Sequence, residues 1–298
     1  MSVSDLRLFE MRRPADLPDV CAVLAERVSR SEPTVLLAGG TDWLVEQETR
    51  PAFAKEAALP LVLDVSRLPA LRGITLDGDR LRIGAAATYL DMRRDPAVLA
   101  RAPMLERMGR DIGAIQIQAR GTLGGNLATA SPAADGVTAL AAYDATLVVH
   151  SVRGERRIPF ASLQTAYKRS TRAADEVIVA VEIDLPPAGS PWIWRKVGTR
   201  RAQSISKVAL AGVAVREGDR LTRLGLGMAS VAPVTALLSR VRTLATSRPL
   251  RDLTAADIDA AVDADVSPID DIRSTRDYRA HCARSVVRAF LRDLGAPV

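Results

Sequence analysis

The chain has 298 residues, 48% of them hydrophobic, and a formal net charge of +6 carried mainly by arginine. It holds enough apolar material for one large domain or two of ordinary size, and no apolar run reaches the roughly eighteen residues that a bilayer-spanning helix needs. Cys21 and Cys282 are the only cysteines and His150 and His281 the only histidines, too few for a disulfide framework, a zinc site or a protein-bound iron–sulfur cluster, so any redox chemistry would belong to a bound organic cofactor.

In chain order, residues 1–11 are polar and of mixed charge, without an apolar h-region or cleavage site, which makes the cytoplasm the expected compartment. Residues 6–11 read as a short strand. A helix then opens at Pro14, Ala15 and Asp16, with Leu17, Val20, Cys21, Leu24 and Val28 recurring at helical steps, and Cys21 falls on its apolar stripe. Residues 34–38 form a strand that runs directly into a glycine turn. Residues 61–65 are a further strand, and 74–83 a hairpin turning at Asp77 and Gly78. Segments 88–95 and 103–115 are helical, a second glycine turn follows, and then a helix over 133–143. A hairpin over 146–160 turns at Arg153 and Gly154. Residues 186–191, with three prolines and a glycine, are linker-like. Antiparallel strands over 192–197, 208–215 and 221–229 precede helices near 235–245, 254–264 and 276–294. Strands followed by helices indicate an α+β C-terminal unit. Residues 176–185 could pair with either half. The basic clusters, at 12–13, 93–94, 153–157 and 195–201, lack the interleaved aromatics that stack bases, so nucleic acid is not an expected partner.

The two glycine turns are the most informative local feature. The first reads Leu37, Ala38, Gly39, Gly40, Thr41, Asp42, Trp43, and the second Gly121, Thr122, Leu123, Gly124, Gly125, Asn126, Leu127. A glycine pair lets main chain approach a ligand closely, with successive amides converging on phosphate oxygens. Two such turns, each followed by hydroxyl and carboxylate side chains (Thr41 and Asp42; Thr129, Ser131 and Asp135), fit a dinucleotide diphosphate held from two sides. The same glycines would serve in unliganded tight turns, and Asp42 could simply cap a helix beginning at Trp43. The pattern is not the G-x-G-x-x-G that follows the first strand of a Rossmann unit.

Four ordered blocks give the chain a closer likeness. They are residues 37–43; 120–135; Tyr167 and Lys168 ahead of 175–182; and 195–207. Together they resemble the FAD-binding, or medium, subunits of molybdenum hydroxylases of the xanthine dehydrogenase and carbon monoxide dehydrogenase type, over nearly the whole chain. The resemblance implies an α+β fold: a two-part FAD-binding module of the vanillyl-alcohol-oxidase (PCMH) type over residues 1–175, divided near 58, and a smaller α+β domain over 176–298. It implies that backbone amides of both loops, including Gly124 and Gly125, grip the FAD diphosphate, with side-chain hydrogen bonds from Thr41, Thr122, Asn126 and Thr129. Asp135 would reach the ribityl and flavin region, Ile112 would lie near adenine, Ile178 would border the flavin ring, and Lys196 would stand at the flavin's polar edge. Trp43 and Ile112 could as well be core residues.

Many relatives carry Arg-Asn where this chain has Gln118 and Ala119, which puts any contact from those positions in doubt, and the iron–sulfur insertion of the benzoyl-CoA-type reductases is absent. The implied role is an electron-transfer subunit with no catalytic acid, base or nucleophile of its own. Its partners would be a large subunit with a molybdenum cofactor and a small subunit with [2Fe–2S] clusters, in a dimer of heterotrimers that delivers electrons to NAD, a quinone or oxygen. The complex would hydroxylate a purine or another N-heterocycle. The alternative is a stand-alone FAD-dependent oxidase with its own substrate pocket.

Overall fold

The computed structural model describes residues 6–49, 59–200 and 203–298. Its first unit contains β1 (Met11–Arg12), α1 (Leu17–Ser29), β2 (Thr34–Leu37), α2 (Trp43–Thr49) and β3 (Leu61–Asp64). The strands form a parallel sheet in the order β1-β3-β2. Asp16 opens α1 by accepting the Asp19 amide, the interaction that satisfies an otherwise orphaned helix donor. Val20, Cys21 and Leu24 pack on Leu61 and Leu63 of β3, whereas Val28 is exposed. The strand expected over 6–11 is reduced to its last residue: Leu6–Leu8 form a single 3-10 turn, and Phe9 turns inward to meet Trp43 edge-on at 5.2 Å.

The second unit contains β4 (Ile74–Asp77), β5 (Arg80–Gly84), α3 (Tyr89–Arg94), α4 (Pro96–Arg101), α5 (Pro103–Gly109), α6 (Ile115–Gln118), α7 (Leu123–Thr129), α8 (Asp135–Ala142), β6 (Thr146–Ser151), β7 (Gly154–Pro159), β8 (Gln164–Ala166), β9 (Arg169–Ser170) and β10 (Val177–Asp184). Its main sheet is antiparallel in the order β4-β5-β10-β6-β7. The helix expected over 103–115 is broken, because Gly113 sits at φ +49, a left-handed conformation that ends regular α-helix. β10 is the middle strand of this sheet. A division after residue 175 would therefore cut the sheet at its centre, and the boundary falls instead between Asp184 and Trp192.

The third unit contains β11 (Trp192–Val197), β12 (Val208–Glu217), β13 (Arg220–Ala229), α9 (Ser239–Ser247), α10 (Ala255–Asp265) and α11 (Arg276–Asp293). The sheet, β11-β12-β13, is antiparallel. α9 begins four residues later than the sequence suggests, since Ala236 is held in a bridge to Met228 and Leu238 adopts φ +50. One face of the sheet packs on α9–α11 through residues such as Leu210, Met228, Val241 and Phe290. The other face, with Ala209, Ala211 and Ala229, joins the core of the second unit. There α8 lies directly on β13, and a Cβ on Gly225 would fall 1.8 Å from the Ala142 carbonyl oxygen. Among the described residues no helix is long and apolar enough to cross a membrane, and no group of His, Cys, Asp and Glu could hold a metal ion.

The close contact between α8 and β13 predicts a contrast between two glycine substitutions. Gly225→Ala must push the helix off the sheet and should cost upwards of about 2 kcal/mol in urea unfolding. Gly218→Ala has open space but φ +60 and should cost only about 1 kcal/mol.

Candidate functional site

The two glycine loops meet face to face. The first connects β2 to α2 and the second α6 to α7, and a Cβ on Gly39 would fall 2.0 Å from the Arg120 carbonyl oxygen. No side chain fits at that position, so glycine is required by the approach of two backbones. Gly40 is needed for its conformation, φ +77, and Gly124 for its packing, since a Cβ there would fall 2.6 Å from that of Ala85. Between the loops lies a cleft of about 430 Å³, bordered by Leu37, Ala38, Gly39, Gly40, Thr41, Asp42 and Trp43 on one side. Thr122, Gly125, Asn126 and Thr129 border the other side.

The loops differ in what their backbone offers. Among the described residues the amides of Gly39, Gly40, Thr41, Asp42 and Trp43 donate to no protein acceptor. In the second loop the Leu123 and Gly124 amides donate to Ala87 and Ala85 at 3.1 and 2.8 Å, and the Asn126 amide donates to the Thr122 carbonyl. The Gly125 amide donates to the Thr122 hydroxyl at 3.1 Å, which makes Thr122 the cap of α7. The expectation that both loops present their amides is thus corrected for Leu123–Asn126, which are docked on the 85–87 segment or engaged with Thr122 and contribute shape. Donors without an internal partner need water or a ligand; among the described residues the first loop has five of them, and the second keeps the Thr122 amide.

Side chains tie the loops together. Thr129 donates its hydroxyl to Asp42 at 2.7 Å, joining the start of α2 to the end of α7, and the Asn126 side-chain oxygen accepts the Val137 amide at 3.2 Å. Trp43 is both core and lining: it meets Phe9 edge to face, yet its indole N–H is buried beside the cleft with no partner among the described residues, as is the Tyr89 hydroxyl. Nothing in the sequence singled out Tyr89, the first residue of α3 after its Thr88 cap, which is buried and borders the cleft.

A second recess, about 300 Å³, adjoins the cleft through Ile112 and Asn126 and is lined by Asp135, Lys196 and residues 203–205. Lys196 Nζ lies 2.5 Å from Asp135 Oδ2 and 3.2 Å from the Asp111 carbonyl oxygen, with both charged side chains about nine-tenths buried. Burial pushes the Asp135 carboxyl up to about 6, against the opposing pull of Lys196. Its other oxygen, Oδ1, is buried without a partner. Asp111 is a residue the sequence gave no reason to notice: its carboxylate accepts the Trp194 indole N–H at 2.9 Å, so the turn after α5 is bolted to β11 at Trp194 as well as at Lys196. Gln118 is buried and holds the same turn, donating to the Ile112 carbonyl at 3.0 Å while accepting from Arg93. This resolves the departure at Gln118: the amide is structural and supports Ile112.

A third recess, about 170 Å³, opens from the other end of the cleft past Ala38, Gly124, Gly125 and Arg172, and ends at Ile178. Ile112 thus shares a recess with Asp135 and Lys196, and Ile178 does not. If Asp135 and Lys196 mark the flavin end, the roles expected of the two isoleucines are exchanged. Each recess shares lining residues with the central cleft, so unpartnered donors lie between the Ile178 recess and one that holds an unpartnered carboxylate oxygen. That donor set fits a dinucleotide with a central diphosphate.

Fold and groove together define a FAD-binding subunit of an oxidoreductase. The chain matches the family described as "FAD binding domain in molybdopterin dehydrogenase" over residues 7–186 and "CO dehydrogenase flavoprotein C-terminal domain" over residues 194–294. It belongs to this family, as a FAD subunit of the xanthine, carbon monoxide and nicotinate dehydrogenase type. It is 30% identical to the putative xanthine dehydrogenase FAD-binding subunit XdhB of Escherichia coli (strain K12), over 94% of this chain and 93% of that one. It is 32% identical to the nicotinate dehydrogenase FAD-subunit of Eubacterium barkeri, over 71% and 70%. A solved carbon monoxide dehydrogenase from Hydrogenophaga pseudoflava superposes with a TM-score of 0.85 at 25% identity, covering 95% of this chain and 96% of that one.

Two outcomes follow from this geometry. Gly39→Ala should force the loops apart and lower the flavin-to-protein ratio of the purified chain roughly tenfold, with the far-UV circular dichroism unchanged. Asp135 ionises less readily folded than unfolded, so its contribution to stability is complete at low pH and is lost as pH rises from 3.8 through about 6. Urea unfolding of the flavin-free chain should show wild type losing up to about 3 kcal/mol relative to Asp135→Asn across that window; a flat difference would contradict it.

Proposed function

We propose that this chain is the electron-transfer subunit of a complex in which a large partner subunit carries a molybdenum cofactor and a small one carries [2Fe–2S] clusters. Bound FAD would supply the ability to accept electrons from the clusters and pass them as a pair to an external acceptor. The reading is supported chiefly by the five unpartnered amides of Gly39–Trp43, which face a cleft continuous with the Asp135 and Ile178 recesses.

In this reading the first-loop amides hold one side of the diphosphate, and Thr41 adds its hydroxyl. Asn126 and Thr129 line the opposite wall. Asp135 offers its free Oδ1 to the polar edge of the flavin or its ribityl chain. Lys196 keeps that carboxylate ionised and, being fixed by the Asp111 carbonyl, places a cation where negative charge grows on reduction, which favours the reduced flavin. Ile112 packs at the flavin end and Ile178 at the adenine end. No acid, base or nucleophile is needed. Neither histidine borders the groove: His150 lies against Cys21 at 3.5 Å, and His281 is on α11, which disfavours a self-sufficient oxidase with histidine-linked flavin.

The xanthine and nicotinate dehydrogenase names of two relatives favour a purine or another N-heterocycle as substrate; NAD, a quinone or oxygen is the acceptor we propose, and a dimer of heterotrimers the assembly. The test is an absorbance spectrum of the full chain, purified alone and with the products of adjoining genes, followed by chromatography of the released cofactor. Flavin bands from FAD in the chain, and iron–sulfur absorbance that bleaches with substrate in the complex, are expected. A chain that stays colourless after incubation with FAD would overturn the reading. Lys196→Met should shift the flavin potential to a more negative value with FAD content retained.

A further inference from the structure

Arg172 stands where the central cleft meets the Ile178 recess and lines both. It is the only basic side chain among the residues bordering the central cleft, whose other charged groups are Asp42 and Glu46. One guanidinium nitrogen donates to the carbonyl oxygens of Glu176 at 2.6 Å and Ala173 at 3.1 Å, which pins the head group in place. Among the described residues no carboxylate pairs with it. Glu176 is taken by Arg156 at 2.7 Å and Asp175 by Arg153, so the acids nearest in sequence are neutralised by other arginines. Burial lowers its basicity, with Glu176 and Asp175 partly offsetting this through space. A partly buried guanidinium without a counter-ion is unfavourable unless an anion completes it.

The second loop sharpens the question, because the Leu123–Asn126 amides are engaged, which leaves that of Thr122, and it brings no positive charge to that wall of the cleft. We propose that Arg172 is a further ligand of the dinucleotide, donating its remaining N–H groups to the diphosphate from the side opposite the Gly39–Trp43 amides. This inference rests on the cleft being the FAD site. Three other arginines, Arg67, Arg72 and Arg120, border a separate recess of about 160 Å³ behind Gly39 and are exposed. They serve as the internal comparison.

The test measures dissociation constants of FAD, ADP and adenosine for the flavin-stripped full chain, by flavin fluorescence quenching and by competition. Arg172→Gln should weaken FAD and ADP at least tenfold, leave adenosine within about twofold, and reduce the salt dependence of FAD binding. Arg172→Lys should recover part of the loss, and Arg120→Gln should have a smaller effect than Arg172→Gln. Unchanged FAD and ADP affinity, or an equal loss for adenosine, would overturn the proposal in favour of a structural or adenine-stacking role. Failure of both Arg172 variants to fold would likewise assign the residue to the 173–176 turn. A wild-type chain that binds no FAD would instead remove the reading of the cleft itself, an outcome the wild-type titration reports independently of any variant.

Discussion

The cleft depends on two stretches of main chain meeting with no side chain between them. At Gly39 the carbonyl of Arg120 occupies the place of a Cβ, so the distance between the loops is set by backbone van der Waals radii. Such a contact cannot relax by changing a rotamer. It also fixes the distance between α2 and α7, and with it the hydroxyl–carboxylate link from Thr129 to Asp42. Steric necessity at one glycine therefore determines the width of the groove along its middle.

The groove so formed has unequal walls. Docking of the second loop on Ala85 and Ala87 gives it rigidity and consumes the Leu123 and Gly124 amides, while those of Gly125 and Asn126 are spent on Thr122. The first loop stands free of the sheet and keeps its own donors. A ligand with a diphosphate would meet five preoriented amides on one side, which lose no side-chain entropy on binding, and a guanidinium on the other. At the far end the balance is electrostatic. Asp135 and Lys196 are both buried, and the desolvation of such a pair is repaid only when every remaining lone pair and proton finds a partner. Lys196 has the Asp111 carbonyl; Asp135 Oδ1 has no partner among the described residues. The pair is incomplete in a way that a donor on the ligand would complete, and the C-terminal sheet is what brings the lysine there.

Much of this was legible in the sequence wherever the controlling interactions are local. The stripe of Val20, Cys21 and Leu24, the hairpin around Gly78 and the three C-terminal strands follow from periodicity and turn chemistry. The four motif blocks carried the family and the position of both loops. The division near residue 175 failed for a physical reason: the partners of β10 are β5 and β6, separated from it by up to a hundred positions, and nothing in the strand's own residues records which sheet it joins. Gly113 likewise carried no visible sign that it would adopt φ +49 and break a helix.

The site shows the same limit at finer scale. Asp135 and Lys196 could be named from motifs, but whether Lys196 faces the ligand or the carboxylate is decided by Asp111 and Trp194, which lie outside every block. Ile112 and Ile178 could be named but not placed, because their positions depend on Gln118 holding one turn and on the sheet carrying the other. Gln118, at a position where the family resemblance leads one to expect arginine, anchors the backbone on which Ile112 rests. A motif thus identifies groups that can touch a ligand, while the residues that aim those groups come from distant segments and become visible only once the chain is folded.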